Sequence, residues 1–355
     1  MPTPTTQQST MEPPSPATRQ MLPPPRIGDV ASAGPLVVAQ GLTKSFDERE
    51  VIKSLDFQLE RGTILGLIGP SGCGKTTTVR LMTGLLKPTE GTVTVFGTPA
   101  TELNKRQRGR IGYLPQSPAL FPELSLRENL NFHASMYGLP LRRRRRIKDL
   151  LDWVELSDRM STRVSDASGG MQRRLSLAAA FVQDPVLAFL DEPTAGIDPI
   201  LRVKFWERFR AMVQTGKSLV ITTQYVGEAG ECDLVGLLSD GELLLLDTPA
   251  NLRRAAFSGE VLDVALDRDP TDAELQQISA ADFVVATERL DPGHVRIVVD
   301  NAERWIQEVG AALAAIGLQA RDVREHIVDY DEAFVRVVER HRTLQAASAG
   351  AEATQ

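Results

Sequence analysis

The sequence predicts an α/β fold, with a largely parallel sheet under helical layers and a small α+β unit after it. Three observations lead there. From about residue 36 to residue 257, short apolar runs alternate with amphipathic stretches of helical period, as in strands joined by crossover helices. A glycine-rich segment, residues 69–76, lies between one such run and the helix that follows it. Beyond Gly259 the order becomes strand, helix, strand, strand, helix, strand, which suits a split β-α-β plait.

Taken in order, residues 1–35 hold 9 of the 22 prolines and many Thr, Ser and Gln. Such a segment buries too little surface to offset its ordering entropy, so a disordered tail without a signal-peptide core is expected. Residues 63–68 (TILGLI) read as a buried strand. A helix over 75–86 follows, stopped by Pro88. A strand is expected at 92–96, helices at 125–137, 142–154 and 171–183, and strands at 186–190 and 218–223. The last two are continuous apolar runs, as expected of strands covered on both faces. The first domain is thus placed at 36–257.

The accessory unit, 258–341, reads as strand 260–266, helix 271–279, strands 283–288 and 295–299, helix 302–316, strand 320–327 and helix 332–340. An Ala-rich tail over 342–355 is expected to fray.

The 355 residues, 42% of them hydrophobic, allow one large or two ordinary domains. A formal net charge of −6 argues against a general nucleic-acid surface, so no nucleic-acid partner is expected. No window offers the roughly 18 uninterrupted apolar residues of a spanning helix. The longest candidate, 175–190, is broken by Ser176, Gln183, Asp184 and Pro185. Membrane work would therefore need another chain to span. Cys73 and Cys232 form no disulfide framework, and a reducing cytosolic location is expected.

The chemistry begins at Gly69, Pro70, Ser71, Gly72, Cys73, Gly74, Lys75 and Thr76, which fill G-x-x-x-x-G-K-[ST] without a gap; Thr77 follows. The glycines let successive N–H groups turn inward on phosphate oxygens, and the helix start adds its partial positive charge. Lys75 brings a full charge to the β- and γ-phosphates, and the Thr76 hydroxyl suits Mg²⁺. Residues 187–191 (LAFLD) end a strand in Asp191, expected to hold the metal through water, and Glu192 next to it is placed as general base.

Ser168-Gly169-Gly170-Met171-Gln172 narrows the class, because it resembles the signature motif of ABC ATPases. There a serine caps a helix whose free N–H groups form a second anion site. Other pieces of the resemblance fall in order. Phe46 resembles the aromatic residue that stacks on adenine. Gln116 resembles the glutamine of the loop that couples nucleotide state to the membrane partner. Ala195-Gly196-Ile197-Asp198 resembles the loop joining two sites across a dimer.

The resemblance implies a P-loop NTPase fold of ABC-cassette type with a helical subdomain, taking ATP and Mg²⁺. It implies a metal set of Thr76, Gln116 and Asp191, and two cassettes closing head-to-tail on two ATP molecules. The wording SGGMQRRL, LDEPTAGIDP and ITTQYVGEAGECD is most similar to ATPases of ABC-2-type exporters of the daunorubicin-resistance kind. That implies a separate permease, a site of work on the cytoplasmic face of the membrane, and a drug, lipid or polysaccharide cargo. A soluble ABC protein acting on ribosomes or DNA is the competing class. The single uninterrupted cassette, with no zinc spacing, argues against it.

Two positions depart from the family pattern. Ala167 stands where the signature opens with Leu, and Gln224 where a γ-phosphate histidine is usual. Glutamine keeps hydrogen bonding but cannot become a cation. Losing one bond to a charged group, about 1.5–3 kcal/mol, would slow turnover roughly 10- to 150-fold. A weakly catalytic, nucleotide-gated regulator is thus a third reading, against which Lys75, Asp191 and Glu192 argue. Five arginines at 142–146 read as a solvated helix face, with lipid headgroups as the alternative ligand.

Overall fold

The computed structural model describes residues 34–352. The tail expected at 1–35 therefore falls, up to residue 33, outside the described residues. The chain runs β1 (Val37–Phe46), β2 (Arg49–Leu59), β3 (Ile64–Ile68), α1 (Lys75–Met82), β4 (Glu90–Val95), β5 (Thr98–Pro99), α2 (Lys105–Arg108) and β6 (Ile111–Leu114). A helical insert follows, α3 (Leu126–Met136), α4 (Arg144–Trp153) and α5 (Gly169–Ala180). Then come β7 (Leu187–Asp191), α6 (Pro199–Gln214), β8 (Ser218–Thr223), β9 (Leu234–Ser239), β10 (Glu242–Asp247) and α7 (Pro249–Phe257).

Six strands form the central sheet in the order β10-β9-β3-β8-β7-β6. All neighbours are parallel except β10 and β9. Every residue of β3, β7 and β8 is buried, with the polar Asp191, Ser218, Thr222 and Thr223 set among apolar neighbours. The register decides where function can sit. Ile68 pairs with Thr223, Asp191 with Thr222, and Leu114 with Leu190. The glycine-rich loop, Glu192, Gln224 and Gln116 thus all leave the sheet at one edge, its carboxyl end, where open α/β sheets bind ligands.

A second, antiparallel sheet has the order β2-β1-β4-β5; the strand expected at 92–96 is its β4, whereas β1 and β2 carry no clear strand pattern. The reason lies in β1, whose pairing slips between Ala39 and Leu42 against β2 and between Gln40 and Thr43 against β4. The irregularity breaks the period-two alternation by which a half-buried strand is recognised. Helix α1 also stops earlier than expected. Gly84 takes φ +71 and the Leu85 and Leu86 N–H groups donate back to Arg80, so a left-handed glycine ends the helix before Pro88 is reached.

The arginine run corrects a second expectation. Arg143 is 8% exposed and donates to Leu139 O, to Asn131 Oδ1 and O, and to Ser135 Oγ. Arg146 donates to Phe181 O and Val182 O. Two of the five arginines therefore pin α4 to α3 and to the end of α5, and only their neighbours form a solvated face. Periodicity marks a face as polar, but it cannot reveal which backbone carbonyls lie opposite.

The C-terminal part runs β11 (Glu260–Leu266), α8 (Asp272–Ser279), β12 (Val284–Asp291), β13 (His294–Val299), α9 (Ala302–Ala315), β14 (Ala320–His326) and α10 (Tyr330–Glu352). Its sheet has the order β12-β13-β11-β14 with every pair antiparallel, the arrangement of a split β-α-β plait. Leu262, Val264 and Ile297 pack under α9, whereas Val261 and Val298 join the core of the first domain. Helix α10 continues to Glu352, past the expected end at 340, because the Ala-rich residues there are strong helix formers. It packs on α7 and on the turn at Val226–Glu231.

Candidate active site

The loop at 69–76 joins β3 to α1 and is held open by its backbone. Gly74 takes φ +108 and precedes the first turn of α1; a side chain there would meet Ile52 Cδ1 at 2.5 Å. The outer wall is the β9–β10 turn, where the Gly241 N–H donates to Cys73 O at 3.2 Å. Lys75 is 5% exposed, and its ammonium donates to Gly69 O at 2.7 Å and Pro70 O at 2.9 Å. The cation is thus held inside the curl by weakly basic carbonyls, which a phosphate oxygen can displace. Burial pushes the Cys73 thiol up, against the pull of the Lys75 ammonium, and keeps it neutral. Thr76 and Thr77 are half-buried in the first turn of α1.

Across the edge, Asp191 is fully buried. Its Oδ1 accepts from Thr222 Oγ1 at 2.5 Å, and its Oδ2 has no hydrogen-bond partner. A bare, buried carboxylate oxygen is costly unless something cationic or protic meets it. Among the described residues no group of three or more His, Cys, Asp or Glu could hold a metal by itself. Asp191 therefore fits the hard cation that keeps water and phosphate oxygens as its other ligands.

Glu192 sits at φ +53, the left-handed region that costs a non-glycine residue about 1–3 kcal/mol. Its N–H donates to Thr222 O and Thr222 Oγ1, both at 3.0 Å. From the other side Arg173 donates Nη2 to Glu192 O at 2.6 Å. The backbone is clamped, while the half-buried carboxylate makes no hydrogen bond among the described residues and stays available for chemistry.

The remaining positions lie around this centre. Gln116 is exposed two residues beyond β6, with its carbonyl taking Arg173 Nη1 at 2.8 Å. Gln224 is exposed one residue beyond β8, and its side chain makes no hydrogen bond among the described residues. Phe46 ends β1 with its ring 43% exposed, and the Lys44 ammonium sits 5.1 Å from the ring centre. Ser168 caps α5 by accepting the Met171 N–H at 3.3 Å. Ser168 and Gly169 are exposed, and a methyl on Gly170 would lie 3.7 Å from Gly196 O. Asp198 caps α6. Ala167, the first departure, is buried ahead of this cap and removes no polar ligand.

A family model described as ABC transporter matches residues 52–195. The Nod factor export ATP-binding protein I of Cupriavidus pinatubonensis is 36% identical over 244 residues, covering 68% of this chain and 75% of that protein. A daunorubicin resistance ATP-binding protein of Streptomyces coeruleorubidus is 33% identical over 318 residues, covering 88% of this chain and 98% of that one. The chain belongs to the ATP-binding proteins of ABC transporters. Solved structures agree on the fold. An ATP-binding subunit of an ABC transporter has 29% identity and a TM-score of 0.57, over 62% of this chain and 92% of its own. A dimeric ATP-binding cassette in a post-hydrolysis state, bound to ADP and Pi, has 26% identity and a TM-score of 0.56, over 60% and 98%.

In this ABC ATP-binding protein three supporting groups escaped the sequence reading. Thr222 bridges Asp191 and Glu192 from a strand that reads as apolar. Thr194 Oγ1 donates to the buried Glu228 at 2.8 Å, joining the loop after Glu192 to the turn after Gln224. Arg173 reaches four residues from the helix after the signature. Polar residues inside apolar runs are the only local signal for such groups, and that signal does not name the partner.

Proposed function

We propose that this chain binds Mg-ATP between the 69–76 loop and Phe46, and hydrolyses it with Glu192 as base. The work drives an exporter through a separate ABC-2-type permease. The observation that carries the chemistry is the common sheet edge, where a buried bare carboxylate oxygen on Asp191 and the free carboxylate of Glu192 stand beside a phosphate-binding loop. Residues 69–77 hold the phosphates, with Lys75 carrying the compensating charge. Thr76, Asp191 and Gln116 would hold Mg²⁺, which when bound neutralises charge on the phosphate oxygens. Glu192 takes a proton from water as its oxygen attacks the γ-phosphorus, and ADP leaves with the transferred phosphoryl group as phosphate.

In this reading the start of the signature helix, Ser168, Gly169 and Gly170, completes the site of a second copy. A homodimer is therefore the working unit. Export rests on the names of the relatives and on the length of the match with the daunorubicin resistance protein, which at 88% of this chain reaches into the plait. Among the described residues no helix is long and apolar enough to cross a membrane. Its family likeness supports work on the cytoplasmic face, through the permease. Membranes carrying an ABC-2-type permease encoded beside this chain are expected to retain it on sedimentation and to stimulate its phosphate release. Retention on ribosomes instead would favour the soluble class.

Gln224 stands where the γ-phosphate and the attacking water would be met. It can orient water but supplies no charge. Gln224→His is expected to raise turnover, within the roughly 10- to 150-fold span that one charged hydrogen bond allows, with ATP affinity little changed. Steady-state phosphate release decides this, and equal rates would show that glutamine is no handicap.

A further inference from the structure

We propose that Arg173 is a positioning residue that ties the signature helix of each chain to that chain's own Glu192 and Gln116 loop, so that one composite site senses the other. The inference rests on Glu192 being the base. Arg173 lies one turn into α5, whose first residues, with the cap Ser168, would meet the nucleotide held by the partner copy.

Its guanidinium does not point toward that nucleotide. It turns inward, 6% exposed, and spreads over four backbone carbonyls. Nη1 donates to Pro115 O and Gln116 O, both at 2.8 Å. Nε and Nη2 donate to Glu192 O at 3.2 and 2.6 Å, and Nη2 also reaches Asp191 O. One planar fork thus fastens the signature helix to the end of β6 and the end of β7 together. An arginine guanidinium keeps its charge in a protein, and its planar fork matches this set of carbonyls.

Three consequences follow from this geometry. Glu192 is held at positive φ by hydrogen bonds on both sides, Thr222 on its N–H and Arg173 on its carbonyl. Without Arg173 the carbonyl keeps only the Ala195 N–H at 3.1 Å, and the strained peptide can relax away from the attacking geometry. A buried cation cannot be left among half its acceptors without cost, so α5, the Gln116 loop and Glu192 move as a body. Because the signature reads the partner's ATP while Glu192 acts on its own, this body links the two sites. The next residue, Arg174, lies on an adjacent face, where it donates to Val154 O and Glu155 O and makes no hydrogen bond to Asp191 or Glu192 among the described residues.

The test compares Arg173→Ala, Arg173→Lys and Glu192→Gln with the wild-type chain. It reads melting temperature, affinity for a fluorescent ATP analogue, and phosphate release against ATP concentration. Misplacing a catalytic group by about 1 Å can cost roughly 100-fold, so Arg173→Ala is expected to lose about 10- to 100-fold in kcat. Nucleotide affinity should stay within about threefold of wild type, and cooperativity in ATP should disappear. Arg173→Lys keeps the charge without the fork and should fall between. If the alanine variant does not fold, the lysine variant decides, through lowered kcat at an unchanged melting temperature. Wild-type kcat in Arg173→Lys beside an inactive Glu192→Gln would overturn the positioning role alone. Parallel loss of melting temperature, affinity and kcat would also overturn it, leaving Arg173 a packing residue. Normal hydrolysis by Glu192→Gln would overturn the base assignment and this inference with it.

Discussion

Glu192→Gln is expected to lower phosphate release by about 100-fold or more, in line with the loss of a general base, while Mg-ATP still binds. The argument is local. The substitution keeps the shape of the side chain and the two backbone bonds to Thr222. It removes only the charge that accepts the water proton. Asp191 and Lys75 are untouched, so the phosphates keep their ligands. ATP should then accumulate unhydrolysed between two copies, and the dimer should persist on a sizing column in ATP but not in ADP. Hydrolysis within about threefold of wild type would mean that another group takes the proton.

Lys75→Ala should act earlier, at binding. The ammonium is the only full positive charge that the loop turns inward, and each hydrogen bond to a charged phosphate is worth about 1.5–3 kcal/mol. Part of that gain is offset, because Lys75 must leave Gly69 O and Pro70 O to make it. A net loss of about 1.4–2.8 kcal/mol corresponds to roughly 10- to 100-fold weaker ATP binding, measurable by titration with a fluorescent analogue. The change also removes the ammonium from Gly69 O, while Pro70 O keeps the Cys73 N–H, so a lower melting temperature is expected alongside. Unchanged affinity would remove Lys75 from the site.

These two variants depend on residues that could be picked out from the chain alone, and the reason is geometric. A phosphate loop needs its glycines and lysine at fixed spacing, and a strand that ends in Asp191 needs only local composition to be seen. The plait was legible for the same reason, since its strands keep their apolar runs and α8 and α9 start on the caps Thr271 and Asn301. What local pattern could not carry was anything made by distant chain segments. The β1–β2 ribbon escaped because its bulges near Gly41 spoil the alternation. Helix α1 ends at a left-handed Gly84 rather than at the more conspicuous Pro88. Arg143 and Arg146 looked like solvent-facing charge and instead bind carbonyls of α3 and α5. Arg173 and Thr222 were passed over because their partners, at Gln116 and Asp191–Glu192, lie on other strands. Their roles come from sheet register, which brings Leu114, Asp191 and Thr223 to one edge and has no signature in any single segment.

The proposed chemistry requires hydrolysis at the edge formed by β3, β7 and β8, in a site that two copies complete. Phosphate release from Mg-ATP, measured for the purified chain over a wide range of protein concentration, tests it most directly. The account predicts that release per chain climbs with protein concentration and levels off once dimers dominate, and that Glu192→Gln abolishes it throughout. Release per chain that is constant down to the lowest concentration, or that survives Glu192→Gln, would contradict it.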